Sequence, residues 1–419
     1  MMSAVSKIHK EKLITEHTSG KGYALFIAVL PILMMYKVPA IGIGVSTTMI
    51  IVSFFYAASV IFNGILLNNG RFRIAKIVIP FVIYLLYVVI KSIGDTVNMI
   101  QTMLIIVHIV AFSMGAVNTE CLKKYIIAIS AAAAILTMIQ TILHYVFGVH
   151  LPCIAPDLCL DSLQYYRGII LTGYQETSSL YRPSAFFLEP SHLTQYSFVG
   201  LLLCLFHGKR QIPAAVCISL GMVSTTSGMG IMLAGGIWFL YVLDIIRKSE
   251  FSSKIAKSAC CLLGMITALC ILYQFEFFRS ALQRVFSPVK YSQNNYNAIW
   301  GRTLYWDKYI SPMGGRDLIF GFGYINLPDI YFTGLMELIY CSGIIGVALY
   351  YFAMIKTAVL YKGISRIIAG LLCGLMLIAN STSLIWMTYY IGSLIVFGLE
   401  EYFNEIKDEK EIYIFKTEY

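Results

Sequence analysis

The chain has 419 residues, of which 58% are hydrophobic and 13% charged. A soluble protein of that length needs far more charged surface, so the composition excludes an ordinary soluble domain. The net charge of +9 does not indicate nucleic acid as a partner, because the basic residues fall mainly in short loops between apolar runs.

Those runs are long enough to cross about 30 Å of hydrocarbon, and they predict an all-α polytopic membrane protein. Residues 1–21 are polar and basic and lack an apolar core followed by a cleavage site, so they read as a cytoplasmic tail before a retained helix. Hydropathy then places about twelve spans in one transmembrane domain over 22–399. They lie near 22–36, 41–63, 74–90, 99–117, 124–148, 190–207, 211–224, 229–246, 256–274, 331–355, 366–379 and 383–399. Residues 400–419 read as a solvated cytoplasmic tail.

Most of the 31 Lys and Arg fall on one side of this pattern, among them Lys7, Lys21, Arg71, Arg73, Lys123, Lys124, Lys209, Arg210, Arg247, Lys248, Lys356 and Arg366. The short connections on the other side hold only Lys37 and Lys91. By the positive-inside rule, both termini are cytoplasmic.

Two long outer connections, 149–189 and 275–330, depart from that bias. They carry Arg167, Arg182, Arg279, Arg284, Lys290, Arg302, Lys308 and Arg316, and they are rich in tyrosine. Long loops escape the charge rule and tyrosines anchor at interfaces, which accounts for part of this. Arginine also captures phosphate or carboxylate through two parallel hydrogen bonds, and aromatic rings stack on sugar faces. An outward-facing site for an anionic, lipid-linked substrate combines both. Of the ten cysteines, Cys153 and Cys159 fall in the first long loop, where an oxidising space would let them pair. Two thiols without nearby histidine pairs make a poor zinc site, so no metal is expected there. No phosphate-binding loop or dinucleotide fingerprint is present, and no cofactor is expected.

The first loop ends in "YRPSAFFLEPSHLTQY". Pro190 suits the first turn of a helix, which puts Glu189 at its cap, where a negative charge favours the dipole. Glu189, His192 and Tyr196 are spaced to share one face, with Gln195 beside them. A capping glutamate and a histidine in a polar niche are common, but Arg182 stands close by in an otherwise apolar stretch. The second loop holds "GRTLYW", a turn-rich "SPMGG" and "GFGY", supplying Arg302, Tyr305, Trp306, Arg316 and Tyr324. Its glycines permit tight turns and close backbone approach to a ligand. Glu337 follows about two turns inside the next span, a depth at which carboxylates face polar cavities.

"RPSAFFLEPSHLTQY", followed by "GRTLYW", "GFGY" and "GLMELIYCSGIIGVALYY", resembles bacterial O-antigen and capsular polysaccharide polymerases of the Wzy type, within the O-antigen ligase/polymerase superfamily. The resemblance runs from about Tyr181 to Tyr351. It implies a GT-C-like fold in the bacterial inner membrane, joining undecaprenyl-diphosphate-linked repeat units on the outer face. The bilayer and a separate chain-length regulator are the expected partners. It further implies that a sugar hydroxyl displaces lipid diphosphate. Glu189 would act as base with His192 second. Arg182 and Arg302, then Arg316, Arg279 and Arg284, would steady the leaving group. Tyr196, Gln195, Tyr305, Trp306, Tyr324 and Glu337 would contact the sugars. The ligase branch relies on a histidine in its large outer loop, and residues 275–330 contain none. A ligase and a multi-span transporter of a charged solute are the alternatives.

Overall fold

The computed structural model describes residues 20–33, 79–113, 118–151, 181–206 except 188, 210–248, 270–286, 291–292, 295–296 and 305–360 except 329 and 331, with short pieces within 54–62, 256–267 and 370–389. Over these residues the chain is helical, apart from connecting turns and a two-residue antiparallel ladder that pairs Tyr291 with Tyr296. The helices are α1 (Gly20–Leu33), α2 (Ile79–Lys91), α3 (Thr96–Ser113), α4 (Thr119–Phe147), α5 (Pro190–Phe206), α6 (Ile212–Ser224), α7 (Gly228–Lys248), α8 (Glu276–Phe286), α9 (Gly315–Phe320) and α10 (Gly334–Leu360). Most of the expected spans at 41–63, 366–379 and 383–399, most of the loop 149–189, and the tail 400–419 lie outside the described residues.

Among the described residues, three helices are long and apolar enough to cross a membrane: Thr119–Phe147, Gly228–Lys248 and Gly334–Lys356. α1, α2, α6 and most of α3 are shorter apolar helices. Large apolar side chains face outward in stripes: Ile79, Ile83, Leu86 and Ile90 on α2, and Ile135, Ile139 and Ile142 on α4. Polar groups lie inside, among them His108, Gln140, Ser197, Glu337 and Ser342. Outward apolar stripes suit a helical protein in hydrocarbon, where lipid replaces water against them.

Two compact units make up the chain, one from residues 1–31, 47–125 and 305–419, the other from 32–46 and 126–304. In the second unit, α5 packs against α6 and α7 and is buried nearly all round, from Leu193 to Leu205. Small residues permit this close approach. A side chain at Gly200 would strike Ser130, and one at Gly221 would strike Ala134. One at Gly230 would stand 2.5 Å from the Met222 carbonyl and 2.9 Å from Thr194 Cγ2.

In the first unit, α1 meets α3 through Tyr23, whose hydroxyl lies 2.6 Å from His108 Nδ1. α2 packs on α3 and α10, with Tyr84 edge-on to Tyr350. α10 is not continuous, in contrast to the single span expected there. Gly343 has φ 64° and ψ −169°, which interrupts the helix. The segment after α9 threads into this break. Phe322 N–H donates to the Tyr340 carbonyl at 2.8 Å, and Gly323 N–H donates to the Cys341 carbonyl at 2.9 Å. Tyr87 Oη donates to the Ser342 carbonyl at 3.0 Å, and Lys91 Nζ to the Gly321 carbonyl at 3.2 Å. A broken helix within an apolar layer persists only where its freed carbonyls find donors inside the protein; the first three bonds provide them, and the Lys91 bond holds the inserted segment.

Candidate functional site

In the second unit, the sequence from Tyr181 to Glu189 forms an irregular segment leading into α5. α5 begins at Pro190, and the Glu189 carbonyl accepts the N–H groups of His192 and Leu193 at 3.0 and 3.2 Å. Glu189 is therefore the cap residue, as Pro190 predicts. Its carboxylate does not bond the helix N–H groups; Oε2 accepts the Ser191 hydroxyl at 2.8 Å. Glu189 and His192 are half-buried, and the carboxylate is the charged neighbour of the imidazole. The first turn thus keeps a carboxylate and an imidazole together, on the segment that begins at Tyr181 and the half-buried Arg182. Gln195 and Tyr196 are buried, with the Tyr196 ring packed 5.2 Å from that of Phe187.

The segment is shaped by groups that its own motif does not contain. Ala185 adopts φ 52°, a conformation that L residues avoid. Its N–H donates to Gln140 Oε1 on α4 at 2.9 Å. Ser184 and Phe187 close a turn around it, with Phe187 N–H on the Ser184 carbonyl at 2.9 Å and Ser184 Oγ on the Phe187 carbonyl at 2.7 Å. The turn between α6 and α7, Thr225-Thr226-Ser227, is buried, and Thr226 Oγ1 donates to the Tyr181 carbonyl at 3.1 Å. Tyr181 also stacks on His144, near the end of α4, with ring centres 4.0 Å apart. The end of α4, the start of α5 and the α6–α7 turn therefore meet around one polar segment. Sequence reading missed Gln140, His144, Thr225 and Thr226. The buried "TTS" between two apolar runs was the one available signal.

Arg279 stands exposed on α8, an amphipathic helix whose Phe278 is buried. Arg284 belongs to the same helix. Arg302, Cys153 and Cys159 lie outside the described residues.

The first unit holds the other expected residues. Tyr305 and Trp306 open a π-helical turn, Trp306–Ile310, and Tyr305 packs edge-on to Tyr309 at 6.1 Å. Arg316 is exposed on α9. Tyr324 and Glu337 are buried, at 4% exposure each. Burial, then the charges of Tyr84, Cys341 and Glu337, hold the Tyr324 hydroxyl well above the usual tyrosine range. Tyr324 also lines a cavity with Tyr84, Ser92, Asn98 and Thr102. The "GFGY" glycines do serve a close approach, but to the protein's own backbone. A side chain at Gly321 would stand 2.5 Å from the main chain at Cys341 and Ser342. Among the described residues no group of three or more His, Cys, Asp or Glu is placed to hold a metal.

No protein-family model matches the chain, and no curated protein is significantly similar to it.

Proposed function

We propose that the protein is a polysaccharide polymerase of the glycosyltransferase class. In this reading it has about twelve spans and a GT-C-like arrangement, lies in a bacterial inner membrane with both termini cytoplasmic, and works with a chain-length regulator. The supporting observation is the segment from Arg182 to His192: an arginine, a carboxylate on the helix-cap residue and an imidazole, at the mouth of a buried helix that is apolar from Phe198 to Phe206. Polar groups at such a boundary are costly unless they are used. The substrate class is taken from the resemblance of the sequence pattern to Wzy-type polymerases.

The acceptor is a sugar hydroxyl of one lipid-linked repeat unit. Glu189 takes its proton as the oxygen bonds to the anomeric carbon of the donor chain, with His192 as the second acceptor. The bond from that carbon to undecaprenyl diphosphate breaks, and the diphosphate leaves with the electron pair. Arg182 steadies the developing charge, with Arg302 as its expected companion and Arg316, Arg279 and Arg284 as further candidates. A positioned base contributes roughly 10²- to 10⁴-fold. Tyr305, Trp306 and Tyr324 remain the proposed sugar contacts, and no cofactor takes part.

Purified protein supplied with undecaprenyl-diphosphate-linked repeat units tests this. Lengthening products that disappear with Glu189→Gln and Arg182→Ala support the polymerase. Transfer to a core lipid instead indicates a ligase.

A transporter is the second reading, favoured by the broken α10 and its buried Glu337. Transporters place discontinuous helices and ionisable groups inside the bilayer. Transbilayer movement of substrate without chemistry in the same assay would establish it.

A further inference from the structure

Outside the proposed transfer site, His144 and His150 form an arrangement that the sequence does not announce. Six residues apart on one helix, they would lie about 120° apart around it. Gly148 changes this. With φ +67° it ends α4, donating its N–H to the His144 carbonyl at 3.1 Å, while Val149 N–H reaches the Leu143 carbonyl at 3.0 Å. The chain folds back and is held just beyond His150, where Gln140 Nε2 donates to the Leu151 carbonyl at 3.3 Å. The two imidazoles then face each other with Nδ1 atoms 3.1 Å apart, ring centres 4.7 Å apart and planes inclined by 25°.

At that separation the pair can share one bent N–H···N hydrogen bond or close on one ion. A straight N–H···N hydrogen bond at this nitrogen separation would put the ring centres about 5.3 Å apart. If both lone pairs instead converge on one ion about 2.05 Å from each nitrogen, the angle at the ion is about 98° and the centres lie about 4.8 Å apart. The observed 4.7 Å rules out the collinear bond and is compatible with convergence on one ion. Tyr181, stacked at 4.0 Å on His144 and with its centre 5.7 Å from that of His150, holds the orientation.

We propose that His144 and His150 chelate a divalent transition-metal ion of the zinc class through their Nδ1 atoms. Neutral imidazole is the commonest ligand for such ions. Two protein ligands leave about two of four positions for water or an anionic oxygen, so the ion exchanges. Bound there, it ties the start of the loop 149–189 to Tyr181, one residue before Arg182. The proposal does not depend on the glycosyl-transfer reading.

Full-length protein in detergent, stripped with chelator, is titrated calorimetrically with Zn²⁺ and, separately, with Mg²⁺. The expected result is one Zn²⁺ per chain at micromolar affinity, no Mg²⁺ binding at that affinity, and at least a tenfold weakening in both His144→Gln and His150→Gln. His150 is exposed beyond the helix end, so its variant decides the matter even if His144→Gln fails to fold. Absence of Zn²⁺ binding, equal binding of Mg²⁺, or less than a tenfold change in His150→Gln overturns the proposal.

Discussion

Gln140 accepts the backbone N–H of Ala185 at 2.9 Å, joining α4 to a residue 45 positions later and holding it in a left-handed conformation. Glu189 follows four residues on, so this one amide fixes the approach to the helix cap. Gln140→Leu removes the acceptor and strands a buried N–H, which costs about 1–3 kcal/mol. The thermal midpoint in detergent should fall by several degrees. If Glu189 is catalytic, turnover should drop while substrate affinity changes less.

Ser191 donates to the Glu189 carboxylate at 2.8 Å. Ser191→Ala should leave folding nearly intact and reduce chain elongation several-fold. Glu189→Gln, which still accepts that bond, should reduce it by roughly 10²-fold or more, as expected for loss of a base. Equal, small effects from the two variants in the same elongation assay would assign Glu189 a capping role.

Gly221 and Gly343 are sites where a side chain has no room. Gly221→Val drives methyl groups into Ala134 at the α4–α6 crossing. Overpacking of that kind costs about 1–3 kcal/mol, and the loss should appear as a lower unfolding temperature. Gly343→Ala adds a left-handed penalty of about 1–2 kcal/mol to a collision with the Ile319 carbonyl. It should destabilise the first unit more than Gly370→Ala, since an added carbon at Gly370 meets nothing within 4 Å.

Tyr324 carries a pH prediction. Its folded pKa is raised above the ordinary 10.0, first by burial. Above about pH 10 the unfolded chain therefore holds fewer protons than the folded one, and stability falls as pH rises. Tyr324→Phe should flatten that alkaline decline in melts between pH 9 and 11 and leave the neutral-pH slope unchanged.

Sequence periodicity and turn chemistry located much of this molecule. Apolar runs determine that helices form and carry apolar outer stripes, because backbone groups in an apolar surrounding must bond within their own segment. Pro190 placed the start of α5 and Glu189 at its cap, since both are decided within one turn of chain. The break in α10 was not legible. Gly343 lies 22 and 20 residues after the "GFGY" glycines Gly321 and Gly323, and only packing shows that one opens a helix for the others. Gln140 was equally hidden, because a side-chain acceptor on one helix has no sequence relation to the amide it satisfies on another. Local geometry depends on neighbours in the chain and was readable. The assembly of α4, α5 and the α6–α7 turn around Tyr181–Glu189 depends on buried polar groups finding partners across the fold, and only the tertiary structure decided it.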